Sequence, residues 1–105
     1  MDRLSLIEKR ISKIKNALTK LGPMRPGALT QQYKDPKTKT GPYWQLSYTR
    51  NMKSRTDYVR QDQVPEIRKQ IRAYKSFKKL TEEWIDLSIE ASKLRNKVDK
   101  ITGSG

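Results

Sequence analysis

Apolar residues recur at steps of three and four from the start of the chain: Leu4, Ile7, Ile11, Ile14, Leu18 and Leu21, with Ala17 beside them. That spacing predicts an amphipathic helix over residues 2–21, with Lys9, Lys13, Asn16 and Lys20 on the opposite face. Gly22 and Pro23 are expected to stop it, glycine at the cap and proline beyond. Between residues 28 and 60 the period changes to two. A strand from Ala28 to Tyr33, a loop from Lys34 to Gly41, a strand from Tyr43 to Thr49, a turn at Arg50–Lys53 and a return from Ser54 to Arg60 make a small antiparallel meander of two or three strands. Trp44, Leu46 and Tyr48 fall on one face of it, and Tyr58 and Val59 are expected to pack. Such a sheet needs a helix on one side to be stable.

The three-to-four spacing then returns. Between Pro65 and Thr102 there is neither glycine nor a second proline, so residues 64–101 read as one long helix, with Pro65 in its first turn, Asp62 as a candidate cap and 102–105 as a frayed tail. Ile67, Ile71 and Tyr74 form a first stripe. Phe77, Leu80, Trp84, Leu87, Ala91, Leu94, Val98 and Ile101 form a second, with the a/d spacing of a coiled coil; steps of three join the stripes, a stammer that overwinds the helix locally. The expected fold is therefore α+β and helix-dominated: an N-terminal helix, a β-meander or hairpin and a long C-terminal helix, in a single domain of 105 residues.

Charge changes this picture. The chain carries 24 lysines and arginines against 11 acids, a formal net charge of +13. Residues 83–105 are neutral in sum, so the excess lies upstream. A balance this basic favours a polyanionic partner. Arg68, Arg72, Lys75 and Lys79 line one face of the long helix, a quarter-turn or so from the Ile67/Ile71/Tyr74 stripe. Arg50, Lys53, Arg55 and Arg60 cluster at the hairpin, and Lys34, Lys37 and Lys39 populate the first loop. These eleven residues are the candidate nucleic-acid contacts. Tyr43, Trp44, Tyr48 and Tyr58 have the chemistry to stack on exposed bases, although Trp44 and Tyr48 alternate with Leu46 as a core-facing row should. With no cysteine and no histidine, disulfides, thiolate chemistry, the usual zinc sites and histidine acid–base catalysis are excluded. Glycine-rich phosphate loops are missing too, and Asp57 and Asp62 read as charge partners. No enzymatic activity, cofactor or metal is expected. No apolar run is long enough to span a bilayer, and the apolar stripes look committed to seams, so a membrane partner is not expected.

The sequence Leu21-Gly22-Pro23-Met24-Arg25-Pro26-Gly27, then Tyr33, then Gly41-Pro42-Tyr43-Trp44-Gln45-Leu46-Ser47-Tyr48, then Lys53-Ser54-Arg55-Thr56, resembles an uncharacterised family of small basic archaeal and bacterial proteins, some linked with mobile-element genes. The resemblance implies a helix, a β-hairpin region and a long C-terminal helix, and no established activity. Many such relatives carry a cysteine cluster between the positions of Tyr33 and Gly41; here that segment reads Lys-Asp-Pro-Lys-Thr-Lys-Thr, and any metal knuckle is lost.

The leading expectation is a small DNA-binding protein, architectural or regulatory, cytoplasmic and nucleoid-associated. Arg50, Arg55 or Arg60 on a two-stranded ribbon would supply any base readout. RNA binding and a coiled-coil protein–protein adaptor are the alternatives. Lengths add a homodimer. At about 1.5 Å per residue the first helix spans about 30 Å and the second about 55 Å. If the two ran antiparallel from the meander, the first would cover the second only as far as Trp84. Trp84, Leu87, Ala91, Leu94, Val98 and Ile101 would then form a bare strip for a second copy, unless the first helix swung out to pair with that half within one chain.

Overall fold

The structure, a computed structural model, describes the backbone of residues 2–102 and the side chains of residues 2–97. Its elements are α1 (Arg3–Thr19), β1 (Ala28–Asp35), β2 (Thr40–Arg50), β3 (Lys53–Val59) and α2 (Val64–Thr102), with one turn of 3-10 helix, Gln61–Gln63, leading into α2. This is the α+β fold expected, an N-terminal helix, a three-stranded antiparallel sheet and a long C-terminal helix. The chain forms two compact units. One is built from α1 and from α2 beyond Lys75; the other is Gly22–Lys75. Of the tail expected to fray, Thr102 ends α2 and the rest lies outside the described residues.

Helix α1 starts where Asp2 accepts a hydrogen bond from the Ser5 N–H at 2.7 Å, satisfying one of the donors that a helix N-terminus leaves unpaired. It stops earlier than Gly22. Lys20 is the cap, its N–H directed to the carbonyls of Ala17 and Leu18, and Gly22 does not adopt a positive φ. Pro23 disfavours a helical residue before it, and the last turn closes on its own carbonyls without a left-handed glycine.

In the unit formed by Gly22–Lys75 the strands run in the order β1-β2-β3, each antiparallel to its neighbour. Leu46 lies opposite Leu29 on β1 and Asp57 on β3, and Trp44 lies opposite Gln31 and Val59. Side chains alternate across a strand, so Leu29, Trp44, Leu46, Tyr48 and Val59 share one face. The apolar stripe that opens α2 covers it: Leu46, Val59, Val64 and Ile71 are buried, with Leu29, Trp44, Tyr48 and Ile67 packed against them. Each buried aliphatic is worth roughly 1.5–3 kcal/mol. The 3-10 turn is pinned to the sheet by the Trp44 indole N–H, which donates to Gln61 Oε1 at 2.8 Å. Asp62 is not a cap; it lies within that turn, its carboxylate 3.3 Å from Arg60. The irregular segment between α1 and β1 is tied down as well. The Arg25 N–H donates to the Gln70 carbonyl, and the Arg25 guanidinium pairs with Asp57 and lies 5.3 Å from the Tyr48 ring centre.

Three expectations about the meander are corrected. The first loop is shorter than Lys34–Gly41, because Lys34 and Asp35 still belong to β1 and β2 resumes at Thr40. Asp35 Oδ1 accepts the N–H groups of Lys37 and Thr38, folding the intervening residues into a tight turn. The second turn is Asn51–Met52 alone, with φ of 54° and 63°, the positive pair that matches a two-residue hairpin to sheet twist. Tyr58, expected to pack, is 69% exposed; it alternates out of phase with Val59 and so faces away from α2.

Two glycines should behave oppositely. Gly27 has φ of 136°, and a Cβ there would stand 2.8 Å from Leu46 Cδ1 and 2.9 Å from the Ser47 carbonyl; Gly22 has open space around it. Gly27→Ala is expected to cost about 1–3 kcal/mol, and Gly22→Ala to be neutral or slightly stabilising, both read by urea denaturation. At the hairpin, a side chain at positive φ costs about 1–2 kcal/mol. Met52→Gly should therefore raise stability by about 1 kcal/mol, a thermal midpoint several degrees higher on differential scanning calorimetry.

Candidate nucleic-acid interface

The basic face predicted for α2 has a definite place in the unit formed by Gly22–Lys75. Arg68, Arg72 and Lys75 line a groove of about 420 Å³ whose other wall is Gly27, Ala28 and Leu29 at the start of edge strand β1, with Ile71 at its floor. Helical spacing aligns the three cations, and the burial of Ile71 fixes which way they face. Arg68 is further held by Trp44, its guanidinium 5.1 Å from the ring centre, a cation–π contact. No carboxylate lines the groove. An open, apolar-floored trough with cations along one side and extended backbone along the other suits a chain of phosphates.

The other candidate cations do not join them in one patch. Strand β2 is 11 residues long, about 35 Å at 3.3 Å per residue, and it separates the lysine turn from the hairpin end. Lys34, Lys37 and Lys39 are at the first, and Arg50 lies opposite Lys53 at the second. Arg55 lies opposite Tyr48. Arg60 is engaged by Asp62. Lys79 belongs to the other unit, where its charge helps lower the Glu83 pKa. All eleven candidates are exposed.

A surface that residue types alone did not mark is the sheet face turned away from α2. Register and alternation place Thr30, Gln45 and Tyr58 in one cross-strand row, Gln32 and Tyr43 in the next, and Ser47 and Thr56 on the far side. The acids of the sheet are elsewhere: Asp57 shares the helix-facing side and pairs with Arg25, and Asp35 is spent on its turn. Tyr43 and Tyr58 border a shallow cleft together with Tyr33, Lys34 and Pro42. The signal for this face was present in the parity of Tyr43 and Tyr58 against Leu46 and Val59. Nothing in the sequence announced Arg25 as the partner of Asp57.

The family described as a domain of unknown function, DUF6788, matches residues 4–69. The chain belongs to that family. No curated protein and no solved structure matches the chain. The family match takes in α1 from Leu4 onward, the whole sheet and the start of α2, including Arg68, and ends before Arg72 and before the second apolar stripe.

That second stripe pairs with α1 in the same chain. Arg3 makes a two-pronged contact with Glu90, Nε to Oε2 at 2.7 Å and Nη2 to Oε1 at 3.1 Å. Arg10 does the same with Glu83 at 2.6 and 2.8 Å. Arg95 reaches Glu8 at 3.1 Å, and Lys15 Nζ lies 5.4 Å from the Trp84 ring centre. Low numbers on α1 meet high numbers on α2, so the pair is antiparallel. Ile7, Ile14 and Ala91 are buried in this unit, and Trp84, Leu87 and Leu94 are half-buried. The premise of the homodimer is thereby corrected: α1 lies along the stretch from Glu83 to Arg95 and does not leave Leu87, Ala91 and Leu94 bare. The side chains of Val98 and Ile101 lie outside the described residues. Among described residues of this unit, the large apolar side chains most open to solvent are Leu6, Ile85 and Ile89. No helix is long and apolar enough to cross a membrane, and no group of three or more His, Cys, Asp or Glu that could hold a metal ion occurs among the described residues.

The ion pairs give the helix pair an acid limit. Hydrogen bonds from Arg10 and Arg3 hold the Glu83 and Glu90 carboxyls below their ordinary value of 4.5. A carboxyl whose folded pKa is depressed stabilises fully above its unfolded pKa, and that contribution is lost as pH falls through the folded value. The thermal midpoint followed by circular dichroism should therefore decline below about pH 4.5. A Glu83→Gln/Glu90→Gln variant, less stable at neutral pH, should show a shallower decline.

Proposed function

We propose that this chain is a nucleic-acid-binding protein, acting without catalysis, that grips phosphates in the groove between α2 and the start of β1. The observation that carries this reading is the groove itself, in which Arg68, Arg72 and Lys75 face extended backbone and no acid. Dispersed solubilising charge need not line up along one trough. The acids of the same unit are engaged elsewhere: Asp57 with Arg25, Asp62 with Arg60, Asp35 with its turn and Glu66 with the Gln70 amide. They leave the groove's cations uncompensated. Affinity would come mainly from release of condensed counterions and fall steeply with salt. Phosphates are common to DNA and RNA, so the groove supports both. A small architectural or regulatory DNA-binding role, in the cytoplasm and at the nucleoid, is the form that joins the groove to the projecting β2–β3 ribbon, with Arg50 and Lys53 at its end. An adaptor role through the second apolar stripe is less well supported, because α1 occupies that stripe.

The test is fluorescence anisotropy with labelled oligonucleotides over a salt series. Arg72→Ala and Lys75→Ala should weaken binding to every sequence alike, each making the salt slope shallower by roughly one unit. Arg68 packs on Trp44, so Arg68→Ala should also shift the emission of Trp44, read in a Trp84→Phe background. Substitution of Lys93, in the electrically neutral part of α2, should leave affinity unchanged. An Arg72→Ala/Lys75→Ala variant with native affinity and slope would reject the groove as the phosphate site. Sedimentation equilibrium at tens of micromolar separates the monomer that suffices for this reading from the homodimer suggested by the apolar stripe.

A further inference from the structure

We infer that the open face of the sheet is a stacking platform for unpaired bases, so that the nucleic acid this chain prefers is single-stranded. The inference rests on the proposed nucleic-acid function and names the form of ligand that the same unit takes. Tyr58 lies opposite Gln45, and Tyr43 is two residues from Gln45 on the same strand. The two rings are thus diagonal neighbours on one face, roughly 7–8 Å apart at the backbone. Neither ring is needed to cover the hydrophobic core, which lies on the other side under Val64, Ile67 and Ile71, and Tyr58 is 69% exposed. A phenol ring offers every base a π-face and tolerates any sequence. Gln45, between the rings, carries both donor and acceptor and can meet any base edge. Lys34 borders the same cleft and supplies a cation for the phosphate of a strand crossing it. Along β1, β2 and β3 this face carries no carboxylate, so a polyanion meets no repulsion there. Bases paired within a duplex keep their faces stacked on one another and cannot use the two rings; a single strand, or an unpaired segment of a longer one, can.

The experiment compares three labelled probes of one mixed sequence at fixed salt: single-stranded DNA, single-stranded RNA and duplex DNA. The proteins are the full chain and its Tyr43→Ala, Tyr58→Ala and Tyr43→Phe/Tyr58→Phe variants, each checked for native circular dichroism. The native chain should bind at least one single strand more tightly than the duplex. Each alanine substitution should weaken that binding roughly five- to one-hundred-fold, the span of a lost base–aromatic stack. The salt slope should not change, since no phosphate contact is removed, and the phenylalanine variant should keep native affinity. Where an alanine variant loses its fold, the phenylalanine variant and a Tyr58→Ser variant carry the comparison. Native binding to all probes that the tyrosine substitutions leave untouched, or a preference for duplex, would overturn the platform and leave the phosphate groove standing. No binding to any probe at low salt would overturn the nucleic-acid reading beneath it. A native dimer that dissociates on Tyr58→Ala would show that a second copy covers the face, and would also overturn the platform.

Discussion

A three-stranded meander has two faces, and this chain brings one helical stripe to cover one of them. The packing of Val64, Ile67 and Ile71 onto Leu29, Leu46 and Val59 is therefore the contact on which the rest of the Gly22–Lys75 unit depends. It supplies the apolar burial that a small sheet lacks by itself. By orienting α2, it also aims Arg68, Arg72 and Lys75 at the β1 edge. And because the stripe is used on one side, the other face of the sheet is left polar and open, with Tyr43 and Tyr58 on it.

Acidic residues are scarce, and most of the described ones are held by a particular partner. Beside the first helix, Glu83 and Glu90 each grip an arginine in a two-pronged geometry, and Glu8 meets Arg95. These pairs are more than a third exposed, and exposed pairs of this kind contribute little beyond fixing partner and direction; the burial of Ile7, Ile14 and Ala91 provides the driving force. Their consequence for charge is larger than for stability. In the Gly22–Lys75 unit Arg25 and Arg60 are matched to Asp57 and Asp62, while the groove arginines and the sheet-end lysines are not. The excess of +13 is thus distributed over particular surfaces.

Hydrophobic periodicity determined most of the fold. Both helices, an antiparallel meander between them, the core-facing row of Trp44, Leu46 and Tyr48 and the continuity of α2 were legible, because each follows from a local period of 3.6 or 2 and from where glycine and proline interrupt it. Boundaries were less so. Gly22 marked the end of α1 too late, since a helix can close on its own carbonyls before a glycine is reached. The first loop is shorter than strand periodicity indicates, since Asp35 folds a tight turn that periodicity does not reveal. Asp62 had the residue type of a cap but belongs to a 3-10 turn.

What tertiary structure alone decided is which surfaces meet. A seam of apolar residues states that a helix must be covered and is silent about what covers it; the second stripe of α2 was as compatible with a second copy as with α1, and the matched charges Arg3–Glu90, Arg10–Glu83 and Glu8–Arg95, far apart in sequence, select α1. The same holds for the candidate site. One helical face could be read from the spacing of Arg68, Arg72, Lys75 and Lys79, yet only the packing of Ile71 onto the sheet sets three of them against β1, and only strand register places Tyr43 and Tyr58 as neighbours on the open face. Periodicity is a property of adjacent residues along one element, whereas a groove or a platform is made by residues that the sheet and helix bring together from distant parts of the chain.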